Sequence, residues 1–175
     1  MSKAVMLSIR PKWCEKICGG EKTIEVRKTC PKLETPFKVY IYCTLPKYPH
    51  EDFIATDYPK PQFYGGGKVI GEFTCDRITR VNICGFWDDY GKQLDNQLNE
   101  TCLTSEELCN YLGTQVGYGW HISDLVIYDK PKELSEFSCG SSTLEWSKTR
   151  DGFPWKWSGM KRPPQSWCYV ENVEG

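Results

Sequence analysis

Lys22-Thr23-Ile24-Glu25-Val26-Arg27, entered through Cys18-Gly19-Gly20-Glu21, is the stretch from which the rest of the chain can be ordered. Polar Thr23, Glu25 and Arg27 alternate with apolar Ile24 and Val26, the period-2 pattern of a strand with one buried face. Glu25 and Arg27 then share a face, roughly 6.5 Å apart along the strand axis. Lys22 stands at the strand's start, where its ammonium can swing into the same space. By itself such a stretch reads as an ion-paired strand that adds little to stability. Its neighbours in the chain give it more weight.

Upstream, Ala4 to Ile9 reads as a first strand with Val5, Leu7 and Ile9 on one face. Pro11 fits the first turn of a helix running to about Cys18, with Trp13 and Ile17 on one face and Gly19-Gly20 as its left-handed stop. Downstream, Phe37, Val39, Ile41 and Cys43 alternate along a strong second strand. Residues 44–66 carry four prolines and no periodicity, the profile of an inserted functional lid or a disordered segment. Gly65-Gly66-Gly67 ends that segment but is no phosphate loop, because no Gly-Lys-Ser/Thr follows it.

Lys68 to about Arg80 reads as a long, bulged strand. Thr104-Ser-Glu-Glu107 is a capping box opening a helix through Leu112 to Gly113. Trp120 to Tyr128 alternates again, Pro131 to Phe137 reads as a short helix, and residues 138–162 form a second insertion. Gln165 to Glu171 is the closing strand.

With 175 residues, 39% of them hydrophobic and 14% aromatic, the chain suffices for one substantial core, so residues 1–175 are expected to form a single domain. The net charge of −1 conceals an asymmetry. Residues 1–47 carry +6, residues 48–100 carry −4, residues 101–145 carry −5 and the tail 146–175 carries +2. If the two ends meet they make a basic surface fit for phosphate-bearing partners; a merely solvated face accounts for the same numbers. No leader with a long apolar stretch opens the chain and no run approaches the roughly 18 apolar residues of a membrane span. A cytoplasmic protein with no membrane association and reduced cysteines is expected. Cys14 and Cys18 would lie one turn apart on a helix, half of a zinc site, but no second pair completes it, so no metal and no cofactor is expected.

Met6-Leu-Ser-Ile-Arg-Pro-Lys12 followed by Gly20-Glu-Lys-Thr-Ile-Glu-Val-Arg27 resembles the ASCH domain family of the PUA-like superfamily, whose signature contains Gly-x-Lys-x-x-Glu-x-Arg. The resemblance continues through Val39 to Cys43, Gly67 to Phe73, Gly119-Trp-His-Ile-Ser-Asp124 and Pro163-Pro-Gln-Ser-Trp-Cys-Tyr-Val-Glu171. It implies an α+β fold, a small mixed β-barrel with short flanking helices. It also implies a cleft between barrel and helix that binds RNA or a nucleotide-like ligand. The residues expected there are Ser8, Arg10, Lys22, Glu25, Arg27, Trp120 and His121. One branch of that family hydrolyses the acetyl amide of acetylated cytidine with a Lys base, a Thr three residues later and a downstream Glu. Lys22 matches the Lys and Glu100 loosely the Glu, but Glu25 stands where the Thr belongs and Thr23 is off by one. As an enzyme, the chain would have to rely on Lys22, Glu25 and Glu100, either as an N4-acetylcytidine-type amidohydrolase or as a ribonuclease.

Two further groupings bear on function. Trp146, Lys148, Arg150, Phe153, Trp155, Lys156, Trp157, Lys161, Arg162 and Trp167 interleave rings and cations, which suits stacking on unpaired bases, although for each ring singly a plug of the barrel is the preferred reading, Trp167 foremost. His121 beside Trp120 is either a general base or a hydrogen-bonded structural imidazole. A third class of function is a protein-interaction adaptor that docks a partner through residues 44–66 or the Trp-rich segment.

Overall fold

The computed structural model describes residues 3–57, 60–82, 84–87, 93–94, 97–139, 145–146, 155–156 and 159–172. Strand β1 (Lys3–Ile9) is buried along six of its seven residues, because it is flanked on both edges and covered on both faces. It pairs in parallel with β3 (Phe37–Cys43) and antiparallel with the last strand, β12 (Trp167–Glu171). Between β1 and β3 lie helix α1 (Pro11–Cys18) and β2 (Ile24–Arg27). Proline opens α1, and Gly20, at φ +74°, turns the chain out of it, a conformation other residues adopt only at a cost.

The long strand β6 (Lys68–Asn82) pairs antiparallel with β3 along one edge and with β9 (Gly117–Lys132) along the other. Three register shifts along the β6–β9 ladder bear out the bulged strand expected here. At Gly71 the β9 backbone comes so close that a Cβ would stand 2.4 Å from the Val126 carbonyl oxygen. β2 adds to the far edge of β9, and the short β7 (Gly85–Trp87) and β8 (Gln93–Leu94) extend the far end of β6. Helices α2 (Gln97–Thr101) and α3 (Ser105–Leu112) connect that end to β9. β4 (Ile54–Asp57) with β5 (Lys60–Tyr64), and β10 (Glu145–Trp146) with β11 (Trp155–Lys156), are separate two-stranded pairs.

Alternation sorts the side chains into layers. Val5, Leu7, Ile9, Val39, Ile41 and Trp120 belong to the main core. Ala4, Met6, Tyr40 and Tyr42 point the other way and are covered by Leu134, Phe137 and Met160. Ile24 and Val26 pack against Leu108 and Leu112 of α3. Thr104 accepts from the Glu107 amide at 3.1 Å while the Glu107 carboxylate accepts from the Thr104 amide at 2.9 Å, the expected capping box.

The expected α+β fold on a mixed sheet is present, but the barrel does not close. Eight strands form one sheet whose main edges are β12 and β2, and no ladder among the described residues joins them. Beyond Arg27 the chain carries Pro31 and Pro36, which have no N–H to give a ladder. Side chains span the seam instead: Trp167 Nε1 donates to Thr29 Oγ1 at 2.9 Å, and the Lys32 amide donates to the Tyr169 hydroxyl at 2.7 Å. Two local expectations also change. Residues 44–66 carry a 3-10 turn (Pro49–Glu51) and the β4–β5 hairpin. Pro131 and Lys132 extend β9, leaving only Leu134–Glu136 as a helical turn. The two ends of the chain do meet, since β1 and β12 are paired and the Ser8 amide donates to Ser166 O. Among the described residues, no helix is long and apolar enough to cross a membrane.

Candidate functional site

At the seam, the polar face of β2 turns into a cleft of about 600 Å³ walled by α1, α3 and the Gln165-Ser166 turn. Its floor is a buried row of charge. Glu25 Oε2 lies 3.2 Å from Lys22 Nζ, and Glu25 Oε1 lies 3.0 Å from Arg27 Nη2. The side chains of Lys22 and Glu25 are 2% and 8% exposed, so neither charge has water to rely on. Buried ions persist only when they are paired and their remaining hydrogen-bonding capacity is filled.

Lys22 meets that condition fully. Besides Glu25, Nζ donates to Ile24 O at 2.9 Å and to Thr101 O at 2.6 Å, giving each of its three hydrogens an acceptor. Arg27 crosses the seam: Nη2 donates to Ser8 O at 2.6 Å and Nη1 to Ser166 Oγ at 3.3 Å. Its Nε is buried and has no partner among the described residues. The Ser8 hydroxyl is engaged, donating to Pro164 O at 2.7 Å.

Around this floor the lining is more open. Trp13 lies beneath Lys22, with Nζ 5.1 Å from its ring centroid. Arg10, Asn110 and Gln165 are exposed, and Tyr111, 38% exposed, has its hydroxyl pushed up by burial. Thr101, Asn110 and Tyr111 were not singled out in the sequence. Thr101 contributes only a backbone carbonyl, which leaves no trace in side-chain pattern, whereas Asn110 and Tyr111 ride on the exposed side of a capped helix.

Ser8, Arg10, Lys22, Glu25 and Arg27 all line one cleft. Trp120 and His121 do not. Trp120 is fully buried in the main core, its ring 5.8 Å from Phe37 and 5.9 Å from Trp167. His121 pairs with Ile24 in the ladder and so shares that residue's face, away from Glu25. Arg77 Nη2 lies 3.1 Å from His121 Nδ1; arginine has no acceptor, so Nδ1 accepts and the ring proton sits on Nε2. That nitrogen faces Thr79 Oγ1 at 3.2 Å, and Thr79 in turn donates to Gln97 Oε1 at 3.4 Å. Burial, then Arg77, pull the imidazole down to about 4 against the small opposing pull of Asp76. It is a neutral structural group near pH 7.

Glu100 stands outside the cleft lining; its carboxylate accepts from Thr23 Oγ1 at 3.3 Å. In the ring-and-cation grouping, Lys148, Arg150, Phe153 and Trp157 lie outside the described residues, as do the side chains of Trp146, Trp155 and Lys156. Cys14 packs in the main core, and burial pushes the thiols of Cys14 and Cys18 up, Cys18 to about 12. Among the described residues no three His, Cys, Asp or Glu side chains gather to hold a metal.

The chain is similar in structure to ASCH from Zymomonas mobilis, at 21% identity and TM-score 0.57, over 96% of this chain and 87% of that one. A tyrosine-to-phenylalanine mutant of the same protein aligns at 20% identity and TM-score 0.57, over 97% and 91%. A serine-to-alanine mutant aligns at 19% and 0.55, over 96% and 88%. No family model and no curated protein sequence matches the chain. At this identity the likeness establishes the architecture: the chain has the ASCH domain fold.

Proposed function

We propose that this chain binds RNA or a nucleotide-like ligand in the cleft floored by Lys22, Glu25 and Arg27, and that it holds the ligand without cleaving it. The state of Lys22 carries this reading. Its amine is buried and donates to Ile24 O, Thr101 O and Glu25, so every hydrogen is engaged within the fold, whereas a general base must present a lone pair to the substrate. Lys22 and Arg27 hold the Glu25 carboxylate in a preorganised position, and its remaining lone pairs offer acceptors to the amino edge of a base. Exposed Arg10 at the rim offers a contact to phosphate, and half-exposed Tyr111 offers a face for stacking. The chain is taken to act as one domain around this cleft.

The test is titration with nucleotides and with six-nucleotide single-stranded RNA, using Arg10→Ala and Glu25→Gln beside the parent. Saturable binding that weakens with salt and in both variants is expected. No binding at low salt, or unchanged affinity in both variants, overturns the reading.

A second reading, hydrolysis of an acetylated cytidine, has one observation in its favour. Thr23 Oγ1 donates to the Glu100 carboxylate, which is the contact an activated hydroxyl nucleophile needs. Incubation with N4-acetylcytidine decides it: turnover that disappears in Thr23→Val would displace the binding-only reading.

A further inference from the structure

We infer that the ligand is an oligonucleotide spanning two adjoining cavities, with a second base stacked on His50, whose ring Tyr48 backs; this rests on the nucleotide-binding reading of the first cleft. Beyond the rim of that cleft lies a groove of about 680 Å³ between α1 and residues 44–52, and Arg10 and Thr44 line both spaces. Each cavity falls within the roughly 300–1,000 Å³ typical of ligand sites. One residue of a single strand in each, joined across Arg10, is the arrangement their contiguity allows.

The chemistry of the second groove distinguishes base from phosphate. Arg10, Lys12 and Lys47 line it, and so do Glu15, Glu51 and Asp52. With formal charges balanced, the groove has no net attraction for a phosphate and accepts the uncharged base and sugar. Arg10 belongs to both cavities, is exposed, and makes no ion pair among the described residues. The linking phosphate therefore falls to Arg10.

A platform for the second base is already assembled. The His50 ring, which lines the groove, lies 5.7 Å from the Tyr48 ring at an interplanar angle of 8°. Lys47 Nζ lies 5.2 Å from the Tyr48 centroid, and Tyr48 remains 47% exposed. Leu45, 74% exposed, adds an apolar wall. The turn carrying these rings is held in place, since Asp52 accepts from the Gly66 amide at 2.7 Å. Parallel rings backed by a cation and left at the surface stack on bases of any sequence.

Calorimetric titration with mononucleotides, the corresponding dinucleotides and six-nucleotide RNA and DNA of one sequence tests this. The parent should bind dinucleotides at least tenfold tighter than mononucleotides, and the doubly substituted Tyr48→Ala/His50→Ala protein should bring that ratio close to one. Binding of RNA and DNA alike assigns the groove to single strands in general; preference for RNA assigns it to RNA. Mononucleotides bound as tightly as dinucleotides, or a ratio unchanged in the double variant, overturns the two-cavity inference and leaves the cleft reading intact. No binding of any nucleotide overturns both.

Discussion

Lys22 and Thr101 are 79 residues apart in the sequence and are joined by a 2.6 Å hydrogen bond from the Lys22 ammonium to the Thr101 backbone carbonyl. The contact ties the start of β2 to the end of α2, and it gives Lys22 a structural role. Glu25 and Arg27 complete the arrangement, and Arg27 reaches Ser8 on β1 across the open seam. One row of three charges thus connects the two edges of an unclosed sheet. A ligand bound there as proposed would meet groups whose positions are fixed before it arrives.

Lys22→Met should therefore destabilise the fold. It leaves Glu25 with one cation in place of two and strips the donor from Ile24 O and Thr101 O, both served by the buried ammonium. Removing one partner of a buried ion pair costs about 3–5 kcal/mol, and the retained Arg27 contact puts the expectation at the lower end. Urea denaturation at pH 7 measures it. Adding Glu25→Gln should cost less than the two single changes combined, because they share a contact. Strict additivity would show that the row is not a unit.

His121 sets a pH dependence of stability. Its folded titration point, about 4, lies below the ordinary 6.5, so the unfolded chain takes up the proton first. The stabilisation is complete above pH 6.5 and is lost as pH falls from there towards 4, up to on the order of 2–3 kcal/mol. Urea midpoints at pH 7 and pH 4.5 should differ more for the parent than for His121→Gln, which has no group titrating in that window. Equal differences would place the acid sensitivity elsewhere.

How much of this was legible in the sequence follows from how local each feature is. Alternation in Ala4–Ile9, Ile24–Arg27 and Phe37–Cys43 survives into the strands because each side chain reports its own face. The capping box is written in four consecutive residues. Parity along the strand also held a warning, since neighbouring Trp120 and His121 point to opposite faces and both could not enter one cleft. In fact neither does. The Lys22 contact to Thr101 O and the Arg27 contact to Ser8 O run from a side chain to a distant backbone carbonyl, and the seam is a ladder that is not made among the described residues; no side-chain period records any of them.

Thr104→Ala probes the cleft wall and leaves its floor unaltered. The Thr104 hydroxyl accepts from the Glu107 amide at the start of α3, and α3 brings Asn110 and Tyr111 to the cleft. Losing an N-cap of this kind costs about 1 kcal/mol. Thermal unfolding should fall by several degrees, and ligand affinity should weaken with it. Full affinity in a destabilised variant would remove Asn110 and Tyr111 from the binding surface.

The proposed RNA binding would show a salt dependence that distinguishes the cleft floor from its rim. Lys22 and Arg27 are neutralised in part by Glu25 and have their donors directed to carbonyls and Ser166, so they should release few counterions when a strand binds. Arg10 is exposed at the junction of the two cavities and should release one. For a single strand, each neutralised phosphate contributes about −0.7 to the slope of log affinity against log salt. Arg10→Ala should then weaken binding of a six-nucleotide RNA and make the slope shallower by about 0.7, as measured by fluorescence anisotropy over a salt series. A weaker affinity at an unchanged slope would mean that Arg10 touches base or sugar, and the phosphate would have to be sought on Lys12 or Lys47.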